Sequence, residues 1–366
     1  MTTRRDSPTD GDAAELKKSR SRPSLHAALV GYGYAGRTFH APLLAACPRF
    51  TLQAVVSSQR ELLDHDYPEA AVLTLPGMLS RPDIDVVVVA TPNPTHFAIA
   101  RAALEAGKHV VVDKPFTLTV GEAEALVALA DRLGLSVTVF HNRRWDGDFL
   151  TLRRLVAAGD LGHVTSLESR FDRFRPDVRD RWRERDDPGS GTWFDLGPHL
   201  VDQALMLFGM PRRIRAELDI ERSGARTIDR FHVTLRYDSL DVVLASSYLA
   251  VTPGPRFHAT GTAGGYVRYG EDSQEQALRE GRRPVPGSEW GLNPAPGVLV
   301  HYAEGGPSSV EIPTDSGCYP AFYASLAAAI AGDAAPPVST ADMINVMRIL
   351  ELGVHSAKHG HEVALP

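Results

Sequence analysis

Residues 27–44 read Ala-Ala-Leu-Val-Gly-Tyr-Gly-Tyr-Ala-Gly-Arg-Thr-Phe-His-Ala-Pro-Leu-Leu, and this stretch decides how the first part of the chain folds. Ala27 to Val30 is a short apolar run of the kind that forms a buried parallel strand. Gly31-Tyr32-Gly33-Tyr34-Ala35-Gly36 follows directly and opens a helical pattern through Leu43 and Ala46, the context that gives G-x-G-x-x-G its meaning. The first glycine permits a tight turn, the second lets the backbone approach a pyrophosphate, and the third lets helix pack on strand. The free N–H groups at the helix start receive the anion. The motif predicts a dinucleotide site built from Gly31, Gly33, Tyr34, Ala35 and Gly36.

Working outward, Val-rich runs recur at Thr51 to Val56, Val86 to Ala90, His109 to Val112 and Val137 to Phe140. Helical patterns at Thr95 to Ala106 and Val120 to Leu133 each end before a glycine, Gly107 and Gly134. The alternation predicts a doubly wound, mostly parallel Rossmann sheet over residues 25–140. From residue 141 to 366 the pattern changes to longer alternating segments at Thr165 to Phe174, Arg213 to Ile220, Ile228 to Tyr237, Asp241 to Leu249 and Gly265 to Tyr269. They predict an α+β domain with an open, mostly antiparallel sheet. Residues 270–297 are rich in Gly, Pro and charge, with a helical patch at Gln274 to Arg279. Tyr319 to Ile330 and Thr340 to Ala357 read as two closing helices that pack back on the first domain.

Composition limits the function classes. The chain has 366 residues, 43% of them apolar, and 39 basic against 45 acidic side chains give a formal charge of −6. A global cationic field for nucleic acid or an anionic membrane is absent, and no apolar run approaches the roughly 18 residues of a membrane span. Cys47 and Cys318 form no metal or disulfide spacing, which fits a reducing cytoplasm. Residues 1–24 are polar and charged and predict a disordered tail. Arg4-Arg5 precedes no apolar export segment.

Where NAD binders carry an acidic residue on the ribose 2′-hydroxyl, this chain has Ser57, Ser58, Gln59 and Arg60. Two hydroxyls and a guanidinium suit a 2′-phosphate, so NADP(H) is expected ahead of NAD(H); the other reading leaves Arg60 in solvent and both cofactors usable. Asp113-Lys114-Pro115 ends the strand His109 to Val112, at the sheet edge where ligands bind. Only Lys17, Lys18, Lys108, Lys114 and Lys358 are lysines, and Pro115 keeps Lys114 extended, projecting an ammonium that stabilises a developing alkoxide. Gly189 to Gly191 lead into a helix expected to start at Pro198, with Asp195 and His199 bracketing its start. A carboxylate reaching that imidazole orients it as a general base; the other reading is a capping aspartate beside a structural histidine.

Further candidates are weaker. Thr91-Pro92-Asn93-Pro94-Thr95-His96 either borders the cofactor, through Thr91, Asn93 and His96, or forms a rigid turn with Thr95 as helix cap. His141 to Asp146, with Asn142, Arg143, Arg144 and Trp145, offers amide and guanidinium groups to a polyol at the cleft. Arg173, Arg175, Arg179, Arg181, Arg183 and Arg185 alternate with Asp and read as a salt-bridged, solvated loop. No spacing supports a metal.

Gly31 to Gly36, Asp113-Lys114-Pro115 and Asp195-x-x-x-His199, in that order before an antiparallel half, resemble the Gfo/Idh/MocA family of nicotinamide-dependent sugar and polyol oxidoreductases. Phe140 to Asp146, Phe174-Arg175-Pro176, Arg181-Trp182-Arg183 and Phe194 to His199 narrow the resemblance to NADP-dependent scyllo-inositol dehydrogenases and their close relatives. The resemblance implies Lys114, Asp195 and His199 as the catalytic set, with Asp113 and Lys114 also beside the cofactor. It places Asn142, Arg143, Trp145, Arg175 and His199 toward the substrate, and it implies a homodimer or homotetramer. Asp113 departs from the family's usual Glu before Lys-Pro by one methylene. The expected reaction interconverts a ring secondary alcohol with its ketone. A non-catalytic sugar sensor and an aldose dehydrogenase or keto-sugar reductase are the competing readings, since fold does not fix substrate.

Overall fold

The computed structural model describes residues 24–285, 288–303 and 305–365; the tail expected over residues 1–24 falls, apart from Ser24, outside them. Six parallel strands, β1 (Leu25–Val30), β2 (Phe50–Val56), β3 (Ala71–Val72), β4 (Val86–Val89), β5 (His109–Val112) and β6 (Val137–Val139), lie in the order β3-β2-β1-β4-β5-β6. Ala27 to Val30 and Val86 to Val89 are almost wholly buried, as strands covered on both faces must be. Covering them are α1 (Ala41–Ala46), α2 (Arg60–Asp66), α3 (Leu75–Leu79), α4 (His96–Glu105) and α5 (Val120–Leu133). Thr119 and Glu122 form a reciprocal capping box at the start of α5, and Gly134 ends it at φ 67°, the left-handed geometry that favours glycine.

Two local expectations need correction. The helix after the fingerprint begins as a wide π-type turn over Gly36–His40 before α1. Thr95 precedes α4 but does not cap it; its hydroxyl donates to the Pro92 carbonyl at 2.7 Å, because residues 93–95 are already wound as a 3-10 turn.

The second sheet has nine strands: β7 (Val164–Arg170), β8 (Arg213–Asp219), β9 (Arg230–Arg236), β10 (Asp241–Ser247), β11 (Phe257–Gly261), β12 (Gly264–Arg268), β13 (Gly297–Ala303), β14 (Gly306–Ile312) and β15 (Val363–Ala364). Their order is β14-β13-β12-β11-β7-β10-β9-β8-β15, antiparallel throughout except for the β7–β10 pair. The predicted strand from Thr165 stops at Arg170, and the chain beyond it touches the sheet once more at a Phe174–Leu249 bridge. Strands β3, β11, β13, β14 and β15 were not anticipated. β14 is exposed along most of its length, so no alternation marks it.

Helices α6 (Gly147–Ala158), α7 (Gly191–Asp195), α8 (Gly197–Phe208), α9 (Ser273–Arg279), α10 (Pro320–Ile330) and α11 (Thr340–His359) complete the chain. α9 matches the helical patch expected in residues 270–297. α10 packs on α1, and α11 lies between β8 and α8 on one side and α5 and β6 on the other. No helix of the described residues is long and apolar enough to cross a membrane.

Candidate active site

The strand order reverses between β1 and β4, and ligands of open α/β sheets bind in the crevice beyond such a point. Gly31 (φ 99°) turns the chain there so closely that a Cβ would meet the Ala90 carbonyl oxygen at 2.5 Å. At Gly36 a Cβ would meet the Gly31 oxygen at 2.1 Å, whereas at Gly33 it would meet nothing within 4 Å. Gly31 and Gly36 therefore serve the turn and the helix packing, and Gly33 leaves open space. That open cradle beside Tyr34 and Ala35 is what a pyrophosphate needs. The Gly31 N–H donates to the Val56 oxygen at 3.0 Å, which sets the end of β2, followed by Ser57 and Ser58 and by Arg60 at the start of α2, next to the same turn.

A cavity of about 620 Å³ opens from this crevice, within the range of small-molecule sites. Gly31, Gly33, Tyr34, Ala35, Thr91, Asp113, Lys114, Asn142, Arg143, Arg175, Asp195 and His199 are all on its wall, so sequence positions far apart converge. Gly36, Ser57, Ser58, Arg60, Asn93, His96 and Trp145 are not on it. Asn93 donates to the Gly189 oxygen at 2.8 Å, and buried His96 has its ring nitrogens 2.9 Å from the Pro115 and Thr91 oxygens. Both tie loops behind the wall. Trp145 stacks edge-on against Phe322 at 5.9 Å.

Lys114 follows β5 and precedes a cis peptide to Pro115. Its ammonium donates to the Asp195 backbone oxygen at 2.6 Å and to Asp195 Oδ1 at 2.7 Å. An ammonium has three donors, so one remains for a ligand oxygen in the cavity. Asp195 ends α7, not a loop running straight into a helix at Pro198. Trp193, in the middle of α7, fixes it: the indole is fully buried, donates to the Leu350 oxygen of α11 at 3.0 Å, and sits where Cβ atoms on Gly197 and Gly353 would come within 2.7 Å of the ring.

The expected Asp195–His199 pair is not formed. Asp195 faces Lys114 and, at 3.3 Å, Arg183, while His199 Nδ1 is buried with no hydrogen-bond partner. The two cations outcompete a neutral ring for the carboxylate. Burial pushes the Asp195 carboxyl up, but Lys114 and Arg183 outweigh it and hold it well below the usual range. Burial, then the charges of Lys114, Arg143, His141 and Arg256, holds His199 well below the ordinary histidine value. That environment favours the uncharged imidazole, the form with a free acceptor nitrogen.

The arginine-rich stretch is salt-bridged as expected at Arg173, Arg181 and Arg185, but Arg173, Arg175, Arg179, Arg181 and Arg183 also line the cavity with Trp182. Arg183 lies over the Trp182 ring at 4.7 Å. The run of guanidinium groups was visible in sequence; its facing a cleft was not. Arg144 faces away, bound by Asp202 at 2.6 Å and Asp342 at 3.0 Å. Glu275 and Arg279 of α9 complete the wall. Glu275 takes a hydrogen bond from the Tyr34 hydroxyl at 3.2 Å and pairs closely with Arg143. Arg143 also reaches buried Asp146 at 3.3 Å, and Asp146 accepts from Tyr319 at 2.7 Å. No group of three His, Cys, Asp or Glu among the described residues is arranged for a metal.

Comparison with known proteins gives the family of the chain. Residues 25–141 match the model of the oxidoreductase family with an NAD-binding Rossmann fold, and residues 149–267 match the GFO/IDH/MocA C-terminal domain. The uncharacterized oxidoreductase YdgJ of Escherichia coli strain K12 is 49% identical over 339 residues, 92% of this chain and 97% of its own. The scyllo-inositol 2-dehydrogenase (NADP(+)) IolW of Bacillus subtilis strain 168 is 37% identical over 353 residues, 96% of this chain and 98% of its own. The crystal structure of an oxidoreductase from Bacillus cereus superposes with a TM-score of 0.85 at 30% identity, covering 94% of this chain and 99% of its own. A nucleotide turn at the switch point, a lysine over the cleft, an open second sheet and relatives of matching length lead to one assignment: this chain belongs to the Gfo/Idh/MocA family of NAD(P)-binding oxidoreductases.

Proposed function

We propose that the protein is a cytoplasmic NADP(H)-dependent dehydrogenase that interconverts a secondary alcohol of a cyclic polyol or sugar with its ketone. The observation that carries the reading is that Lys114, tethered by Asp195, and His199 line the same cavity, which begins at the glycine turn. Bound nicotinamide supplies the hydride acceptor or donor. On oxidation the ring carbon gives up a hydride as the hydroxyl O–H bond breaks, its electron pair forming the C=O, and His199 receives the proton. Lys114 holds the oxygen throughout and stabilises its developing charge. Asp195 is a positioning residue for Lys114, and Asn142, Arg143 and Arg175 hold the other ring substituents.

Ser57, Ser58 and Arg60, with no carboxylate among them, support NADP(H) over NAD(H), and the NADP-dependent relative has the same tendency in its name. The family resemblance supports a homo-oligomer, and exposed Tyr302 on β13 is an apolar group that a second copy could cover. The test is absorbance of reduced nicotinamide with NADP or NAD and a panel of scyllo-inositol, myo-inositol, glucose and xylose. Turnover faster with NADP is expected. Ser58→Asp with Arg60→Ala should weaken NADPH binding more than NADH binding; equal losses would place the 2′-phosphate elsewhere.

A further inference from the structure

The cavity is far more positive than the chain around it. Seven arginines and Lys114 line it, against Asp113, Asp195 and Glu275, in a protein of net charge −6. Some of this charge is neutralised locally. Lys114 and Arg183 share Asp195, Arg143 takes Glu275 and Asp146, Arg173 grips Glu271, and Arg181 holds Glu184 at 2.7 Å. The guanidinium groups of Arg175, Arg179 and Arg279 form no ion pair among the described residues, although the Arg179 backbone N–H donates to Glu184 at 3.0 Å. Arg181 also keeps its Nη2 buried with no hydrogen-bond partner. Burial and the like charges of Arg143 and Arg175 pull the Arg173 guanidinium below its ordinary value, a sign of crowding. Arg179 and Arg279 are exposed and Arg175 is half-buried, so these guanidinium groups keep donors open to an arriving anion.

Position separates the unpaired groups. Arg279 is one helical turn beyond Glu275, which the fingerprint residue Tyr34 contacts, so it stands toward the glycine turn and a cofactor's phosphates. Arg175, Arg179 and Arg181 come from the segment between β7 and α7, on the opposite, Lys114–Asp195 side. Arg175 lies over Tyr248 at 5.4 Å, and the charge of Arg181 reaches both Asp195 and Tyr248. Guanidinium groups only donate hydrogen bonds. A neutral polyol needs acceptors for its own hydroxyl protons, and the guanidinium groups of Arg175, Arg179 and Arg181 supply none; the acceptors of the cavity, Asp113, Asn142, Asp195, His199 and Glu275, come from other segments. A carboxylate or phosphomonoester accepts only, and matches the planar forks.

We propose that the substrate is an anionic polyol or sugar, whose carboxylate or phosphomonoester is received by Arg175, Arg179 and Arg181 while a ring hydroxyl faces Lys114 and His199. This rests on the dehydrogenase reading above. The experiment compares matched pairs, glucose against glucuronate and glucose 6-phosphate, and myo-inositol against its monophosphate, by kcat/KM with NADP. The same sugars are titrated calorimetrically into the enzyme–NADPH complex. The anionic partner should be favoured roughly 10- to 100-fold per charged contact. The ratio of anionic to neutral kcat/KM should collapse toward one in Arg175→Gln/Arg179→Gln and recover in part with Arg179→Lys. Whether the carboxylate or the phosphate pair shows the larger ratio identifies the source of the anion. Turnover that favours the neutral partners, or treats both alike, overturns the proposal and leaves the dehydrogenase reading standing. If no sugar turns over, the dehydrogenase reading fails. The titration then decides the anion site alone: binding of the anionic sugars lost in the double variant supports it, and no binding to the unaltered enzyme removes it.

Discussion

The contact between Lys114 and Asp195 makes a prediction that the sequence pattern alone would have placed on a different pair. With Nζ to Oδ1 at 2.7 Å and side-chain exposures of 12% and 21%, the gross Coulomb attraction at an effective dielectric constant near 20 is about 6 kcal/mol. Desolvation and partial screening reduce this to about 2–3 kcal/mol of net coupling, the range of charge-assisted hydrogen bonds. Asp195 and His199 share no hydrogen bond, and the ring is neutral, so their coupling should stay below about 0.5 kcal/mol. Double-mutant cycles by urea denaturation, built from Lys114→Met, Asp195→Asn and His199→Gln, measure both terms on one protein. A Lys114–Asp195 coupling under about 0.5 kcal/mol would remove the argument that Asp195 positions the ammonium. An Asp195–His199 coupling above about 1.5 kcal/mol would restore the dyad that the geometry denies.

The glycine turn separates packing from binding. Gly36→Ala, whose Cβ collides with the Gly31 oxygen, should cost several kcal/mol or prevent folding. Gly33→Ala should keep its Tm yet lose roughly tenfold or more in NADPH affinity by fluorescence titration, and unaltered affinity would mean that the pyrophosphate lies elsewhere. Acid should destabilise the protein through His40, His96, His141 and His199, all buried and held below 6.5, His40 at about 4. Folded rings stay neutral while unfolded ones protonate, so this stability is complete above 6.5 and lost as pH falls, for His40 down to about 4. With all four still neutral the slope approaches about 5 kcal/mol per pH unit. A Tm that does not change between pH 7 and 5 would contradict it.

Much of this was legible in the sequence because the first domain obeys local rules. The fingerprint, the Val runs of β4 and β5 and the cap glycine Gly134 all have short-range causes. Lys114 was legible from its place at a strand end. What sequence could not supply were competitions decided in space. Asp195 has His199 four residues away, yet an ammonium that arrives from residue 114 and a guanidinium from residue 183 take the carboxylate. The alternating arginines of 173–183 look solvated in one dimension, and only β7, β10 and α7 together turn them toward the cleft. Glu275 could be placed on a helix, but nothing local says that the helix crosses to Tyr34. Edge strand β14 has polar residues on both faces and so no period to detect.

The central claim is that Lys114 and His199 act on the substrate in a cavity whose cofactor site is separate from them. The most direct test measures initial rates with NADP and the best sugar of the panel for the unaltered enzyme, Lys114→Ala and His199→Ala, together with the NADPH Kd of each by calorimetry. Turnover should fall by at least about a hundredfold in both variants while the Kd changes by less than about threefold. Undiminished turnover in both variants would contradict the account.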